Sequence, residues 1–138
     1  LANPRENLMH IRTILAGAAA LALLTMPTLA EDMAHGAVKT ADIGGKTVLT
    51  DANGMTLYIF DKDSAGVTNC YDKCAANWPP LAADAGAMAE GDFSIVERTD
   101  GYSMWAYKGA PLYYWVNDAN PGDTTGDGVG GVWHLAVK

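Results

Sequence analysis

Basic residues are scarce in this sequence of 138 residues. Nine lysines and arginines face sixteen aspartates and glutamates, which gives a formal net charge of −7 at pH 7. A domain with this acidic balance and without a basic stripe is repelled by the phosphates of nucleic acids and by anionic lipid head groups. We therefore expect no nucleic-acid partner.

The sequence also lacks motifs that commonly mark catalytic sites. It contains no G-x-S-x-G nucleophile elbow, no phosphate-binding loop and no H-E-x-x-H zinc motif. Only three histidines are present, so a Ser–His–Asp arrangement has no support in the sequence. We expect a protein that is not an enzyme and needs no cofactor, with copper and calcium as the two metal alternatives.

No hydrophobic run is long enough for a membrane-spanning helix. The longest run, residues 13–26, follows a short basic segment at residues 9–12 and precedes small residues at 28–30. This order is typical of a secretory signal peptide. We expect residues 1–30 to comprise upstream residues and a signal peptide that starts at Met9. A bacterial lipid anchor needs a cysteine directly after the hydrophobic run, and this sequence has none there. We therefore expect release into the bacterial periplasm or outside the cell, without a lipid anchor.

Cysteine occurs only twice, at Cys70 and Cys74. In an exported protein two cysteines usually form a disulfide, and this spacing closes only a small loop. We expect a structural bridge. Two alternatives stay open, namely a redox-active pair close to Lys73, or a metal site completed by His134 and Met104, for which copper is a suitable metal.

One sequence pattern occurs twice, 55 residues apart. The pattern G-x-x-L-Y-x-[FW]-x-x-D begins at Gly54 and again at Gly109, and Trp78 and Trp133 keep the same offset. This indicates a tandem duplication. We expect a flexible segment over residues 31–45 and one β domain over residues 46–138, with repeat 1 at about 46–81 and repeat 2 at about 94–137.

Short β-branched and aromatic segments alternate with turn residues across both repeats. They predict a hairpin of residues 46–51 and 55–60, a meander of residues 93–98, 102–107 and 111–116, and a last strand at 132–137. The fold class is therefore all-β, a small antiparallel sheet domain of two degenerate repeats with one short helix or turn at the cysteine pair.

Alternation along the first aromatic strand predicts that it has two different apolar faces. Leu57 and Ile59 face one side of the strand, and Tyr58 and Phe60 face the other. We expect Trp78 and Trp133 to anchor the core.

Six residues define the repeated motif: Tyr58, Phe60, Asp63, Tyr113, Trp115 and Asp118. Tyrosine and aspartate lie five positions apart, so the aspartate falls at or beyond the strand end. There a carboxylate caps loop amides or accepts a tyrosine hydroxyl. This structural role is favoured because a buried tyrosine needs a hydrogen-bond partner. A ligand or cation site where the two halves meet is the alternative.

These motifs, together with C-Y-D-K-C-A-A-N-W-P-P-L and the terminal G-V-W-H, resemble a bacterial family. It is the secreted repeat, or predicted lipoprotein, family with the Y-x-[FWY]-x-x-D motif, and the resemblance covers residues 46–137. It implies an exported, often lipid-anchored or repeated protein without an established biochemical function. This chain departs from the pattern because it has no lipobox cysteine.

Other side chains give weaker indications. Asp123 and Asp127 lie in an oxygen-rich loop, for which a weak calcium site is the alternative to a role in turns. The second half carries more aromatic residues than one core needs. This predicts a solvent-reachable contact surface formed by Tyr102, Tyr113, Tyr114, Trp115 and Trp133.

We expect an exported, non-enzymatic binding or envelope-associated module. Its partner would be an envelope protein or a small ligand. The alternative function is a periplasmic redox or copper-type metal-binding protein that uses Cys70, Cys74 and His134.

Overall fold

A computed structural model of the chain describes residues 33–138. The predicted signal peptide lies outside these residues. The described part holds seven strands, one short α-helix and two 3₁₀ turns, at Ala34–Gly36 and Val129–Gly131. The strands are β1 (Val38–Ile43), β2 (Lys46–Asp51), β3 (Tyr58–Phe60), β4 (Phe93–Glu97), β5 (Ser103–Tyr107), β6 (Ala110–Pro111) and β7 (Trp133–Leu135), and the helix is α1 (Lys73–Asn77). Within this range no helix is long and apolar enough to cross a membrane.

The strands form three small antiparallel sheets. β1 pairs with β2, β3 pairs with β7, and β4, β5 and β6 lie side by side in that order. The helix follows Cys70 closely and ends before Pro79, as the sequence predicts. The all-β fold class with one short helix at the cysteine pair is confirmed.

The prediction of a flexible segment over residues 31–45 is wrong for its described part. Val38–Ile43 is strand β1, which pairs with β2 along its whole length. Met33, Ala34 and Val38 are buried in the core. Burial of these apolar side chains and the backbone pairing stabilise the segment. The sequence analysis missed the strand because its hydrophobic alternation is weak. Repeat 1 therefore begins before residue 46.

The predicted hairpin of residues 46–51 and 55–60 forms only at its closed end. The Asp51 carboxylate accepts the backbone N–H groups of Asn53 and Met55, and Thr50 and Thr56 form a single bridge. The Leu57 N–H still donates to the Leu49 carbonyl, and after it the chain separates from β2. The regular partner of β3 is β7, from the other repeat.

The predicted meander forms with a shortened third strand. β4 and β5 pair along their length, whereas β6 covers only Ala110–Pro111. The chain then leaves β5, because the Tyr114 N–H donates to the Pro79 carbonyl and the Val116 N–H to the Asn77 carbonyl. Residues 113–116 therefore pair with repeat 1.

Equivalent backbone hydrogen bonds occur in both repeats. Leu57 donates to the carbonyl of Leu49 at 3.0 Å, and Leu112, 55 positions later, donates to the carbonyl of Trp105 at 3.0 Å. Two core clusters lie on the two faces of β3. One contains Leu57 with Ile59 at its edge, and the other contains Tyr58 with Phe60 at its edge. The predicted alternation along this strand is confirmed.

Candidate functional site

The two motif tyrosines lie side by side at the centre of the molecule. Tyr58 donates its N–H to the Tyr113 carbonyl at 2.8 Å, and Tyr113 donates to the Tyr58 carbonyl at 3.0 Å. Both side chains are fully buried. The duplicated motif therefore meets its own copy across an antiparallel bridge, so the two repeats share one centre.

The tyrosine hydroxyls bind the aspartates of the opposite repeats. Tyr58 donates to Asp118 Oδ2 at 2.6 Å, and Tyr113 donates to Asp63 Oδ2 at 2.5 Å. The sequence predicts that a motif carboxylate accepts a tyrosine hydroxyl or caps loop amides. It gives no signal that the tyrosine belongs to the other copy. The motif is thus completed only when both repeats are folded together.

Each aspartate also closes the loop that follows its own strand. Asp63 accepts the Asn69 N–H at 2.7 Å. Asp118 accepts the Thr125 N–H at 3.0 Å and its hydroxyl at 2.6 Å through Oδ1. A carboxylate has two oxygens with several acceptor positions, so one oxygen serves the loop and the other serves the tyrosine. Both predicted structural roles are therefore present at the same residue.

Each tyrosine hydroxyl has a second hydrogen-bond partner. The Gly126 N–H donates to the Tyr58 hydroxyl at 3.2 Å, and the Thr68 hydroxyl lies 2.6 Å from that of Tyr113. A Cβ at Gly126 would lie 2.9 Å from Trp78 and from the Tyr58 ring, so only glycine fits without a shift. The loops pack against the tyrosine hydroxyls, and both tyrosine side chains are fully buried.

Burial determines the protonation state of the tyrosines in this centre. Loss of solvent raises the pKa of Tyr58 and of Tyr113, and the hydrogen bond to the aspartate raises each further. Burial also raises the pKa of Asp63, while the hydrogen bond from Tyr113 acts in the opposite direction. Both tyrosines are protonated donors at neutral pH, so they act as structural donors rather than as bases.

Aromatic side chains of one repeat also stack on those of the other repeat. Trp78 and Trp133 stack with their ring centroids 3.8 Å apart and their planes 4° from parallel. Phe60 stacks on Trp133 of the other repeat at 4.2 Å, and Trp115 stacks on Trp78 at 4.1 Å. The prediction that Trp78 and Trp133 anchor the core is confirmed. The aromatic motif positions contribute to packing rather than to an open surface.

The predicted aromatic contact surface is wrong. Tyr113 and Trp133 are buried, and Trp115 is half-buried in the stack. Tyr114 is also half-buried, and its hydroxyl donates to Asp51 Oδ2 at 2.7 Å. Only Tyr102 of the proposed set is strongly exposed, at 68 %. The many aromatic residues of the second half pack into two core clusters, whereas the prediction assumed a single core.

Cys70 and Cys74 form a disulfide, as favoured from the sequence. Cys70 is fully buried, and Arg98 donates to its carbonyl at 2.9 Å. The other proposed metal ligands have protein partners: His134 Nε2 lies 2.7 Å from Asp61 Oδ2, and Met104 Sδ contacts Arg98. Across residues 33–138, no three His, Cys, Asp or Glu side chains are grouped to hold a metal ion.

The aspartates of the oxygen-rich loop bind backbone amides. Asp123 Oδ2 accepts the N–H groups of Ala119 and Asn120, each at 2.9 Å. Asp127 Oδ1 accepts the Leu135 N–H at 3.2 Å. The two carboxylates hold different turns of the loop. This is the turn-forming role that the sequence analysis gave as the alternative to a calcium site.

A cleft that the sequence analysis missed lies between the 3₁₀ turn at Ala34–Gly36 and residues 82–92, the connector between the repeats. Its volume is about 390 Å³. Its lining comprises His35, Trp105, small side chains of the 3₁₀ turn and the connector, and Asp84 and Met88. Alanine and glycine carry no chemical signal in a sequence, so the sequence analysis assigns no function to the connector.

Comparison with known proteins agrees with the internal duplication. No curated protein and no solved structure matches the chain significantly. A family model described as a secreted repeat of unknown function matches residues 37–82 and 94–137. The two matched segments correspond to the two halves that exchange tyrosines, aspartates and tryptophans, and they cover most of the chain. The protein therefore belongs to this family of secreted repeats.

Proposed function

We propose that this protein is an exported, non-enzymatic binding module that takes a small ligand in the cleft beside the 3₁₀ turn. It acts in the bacterial periplasm or outside the cell, without a lipid anchor and without a cofactor. The family description as secreted supports export. The cleft is the observation that supports binding, because it is an open, mostly apolar concavity at a junction of two chain segments.

The motif residues support a scaffold role rather than a reaction. Both tyrosine hydroxyls donate to aspartates, and both aspartates also hold loop amides. A general base or nucleophile has to reach a substrate atom within hydrogen-bond distance. The two motif tyrosines are fully buried, so binding at their hydroxyls would require the core to open.

The walls of the cleft are held together by His35. Its Nδ1 lies 2.9 Å from Glu90 Oε2, its Nε2 lies 3.1 Å from the Met88 carbonyl, and its backbone N–H also donates to Glu90. These contacts join the 3₁₀ turn to the connector. The cleft is thus formed before a ligand arrives, which lowers the entropic cost of binding.

Size and composition favour a small molecule. A volume of about 390 Å³ lies at the lower end of the range of about 300–1,000 Å³ for small-molecule sites. Trp105 is buried beneath the cleft, and its ring centroid lies 6.3 Å from that of His35. Alanine side chains cover much of the remaining lining and leave room for an apolar body. We propose a compact organic ligand rather than a polypeptide chain.

A fragment screen by ligand-observed NMR tests this proposal on the mature protein. Ala82→Phe fills the cleft from an exposed lining position, and Ala52→Phe adds the same ring at an exposed turn outside it. We expect fragments to bind the wild type and Ala52→Phe, and to lose binding in Ala82→Phe. Equal binding to all three proteins, or no binding to any, would overturn the assignment of the cleft.

The same samples test the absence of chemistry and of a metal. Bound fragments should be recovered unchanged, and the native mass should equal the denatured mass with one intact disulfide and no adduct. Conversion of a fragment, free alkylatable thiols or a stoichiometric metal adduct would instead favour the redox or copper-type alternative at Cys70, Cys74 and His134.

A further inference from the structure

The cleft is lined by two ionisable side chains, those of His35 and Asp84. Its described lining includes Asp84 and no lysine or arginine. Asp84 is exposed at the rim, where its backbone carbonyl accepts the Ala87 N–H at 3.0 Å. Within residues 33–138 its carboxylate accepts no hydrogen bond. A carboxylate at the mouth of an apolar cleft is therefore available to a ligand.

The other polar group of the cleft is already occupied. The His35 ring uses both nitrogens on Glu90 and on the Met88 carbonyl, so neither is available to a ligand without breaking the wall. Glu90 in turn faces His35. Asp84 is thus the charged group that remains to orient an occupant.

From this arrangement we infer that the cleft takes a small organic cation, an ammonium group carried on an apolar body. The inference rests on the proposed binding function and adds the chemical class of the ligand. The apolar body packs against the alanines and Trp105, and the ammonium group lies at the rim beside Asp84. The net charge of −7 also raises the local concentration of cations and repels anions.

Solvent weakens the attraction between the Asp84 carboxylate and a bound cation. Two unit charges about 4 Å apart in water attract by about 1 kcal/mol, which corresponds to about a fivefold change in affinity. Asp84 is exposed, so we expect a preference of about this size. Salt should weaken it, because exposed charges are screened.

Three compounds with one carbon skeleton test the inference: phenethylammonium, phenethyl alcohol and phenylacetate. Their dissociation constants for the mature protein are measured by NMR titration at low salt. We expect the ammonium to bind about fivefold more tightly than the alcohol, and phenylacetate to bind most weakly. Asp84→Asn should equalise the ammonium and the alcohol, and 0.5 M salt should have a similar effect on the wild type. Asp72→Asn, an exposed change outside the cleft, should leave the order intact.

The outcomes separate the two proposals. If the alcohol and the ammonium bind equally to the wild type, or if Asp84→Asn keeps the preference, the cation assignment is wrong while the binding cleft remains. If no compound binds the wild type and the fragment screen also gives no cleft binder, the binding function fails as well. A preference that persists in Ala82→Phe would place the cation site elsewhere.

Discussion

The exchange of partners between the repeats can be measured as a coupling free energy. Tyr58→Phe removes the donor to Asp118, a hydrogen bond of 2.6 Å, and leaves the Gly126 N–H without its acceptor. A hydrogen bond to a charged group contributes about 1.5–3 kcal/mol, and a buried unpaired group costs about 1–3 kcal/mol more. Tyr58→Phe should therefore destabilise the domain by at least about 2 kcal/mol.

Two double-mutant cycles then distinguish the partners of Tyr58. The cycle with Asp118→Asn should give a coupling of about 1–3 kcal/mol, because the two side chains are in contact. The cycle with Asp63→Asn should give less than about 0.5 kcal/mol, although Asp63 belongs to the same motif copy. Each variant is unfolded in urea at pH 7 with the disulfide intact, and the midpoint and slope are both fitted.

The reciprocal cycles are the internal control. Tyr113→Phe should couple to Asp63→Asn and not to Asp118→Asn, because Tyr113 donates to Asp63. Near-UV circular dichroism confirms that each variant keeps its packing. Stronger coupling within a motif copy than between the copies, in either direction, would refute the exchanged arrangement.

Three further predictions concern the buried tyrosines, the disulfide and Gly126. Burial raises the pKa of three of the six tyrosines above the ordinary value of 10.0, namely Tyr58, Tyr113 and Tyr114. The contribution of these three tyrosines to the free energy of unfolding is fully present below pH 10. As the pH rises above 10, the three together lose about 4 kcal/mol of this free energy per pH unit. Absorbance at 295 nm should show these three ionising only as the chain unfolds, and six titrations near pH 10 in the folded state would contradict this. Reduction of Cys70–Cys74, which closes a loop with a sequence separation of 4, should cost about 2 kcal/mol in urea unfolding, and an unchanged midpoint would argue against a stabilising bridge. Gly126→Ala should cost about 1–3 kcal/mol because its Cβ meets Trp78 and Tyr58, and a thermal midpoint equal to that of the wild type would show that the loop yields without cost.

Local patterns predicted the features that depend on neighbouring residues. Alternation assigned Leu57 and Tyr58 to opposite faces, since successive strand residues always point to opposite sides. The disulfide followed from the export signal and the count of two cysteines. Burial of Trp78 followed from the size of its apolar ring.

Features that depend on long-range pairing were not predictable in the same way. A duplicated motif offers each tyrosine two chemically identical aspartates, and spacing along the chain does not distinguish them. The choice follows from the pairing of β3 with β7 and of Tyr58 with Tyr113, which bring the repeats together. β1 was missed because Lys39, Thr40 and Asp42 weaken its apolar alternation, although pairing with β2 stabilises it.

Duplication also explains why a ligand site is expected away from the motif. The shared core uses both copies of each motif residue in equivalent contacts, so the differences between the repeats lie elsewhere. His35 and Glu90 lie outside the two segments that the family model matches, and they bind each other. An imidazole and a carboxylate form a complementary pair. Their contact closes one wall of the cleft, so this wall of the proposed ligand site is formed outside the duplicated segments.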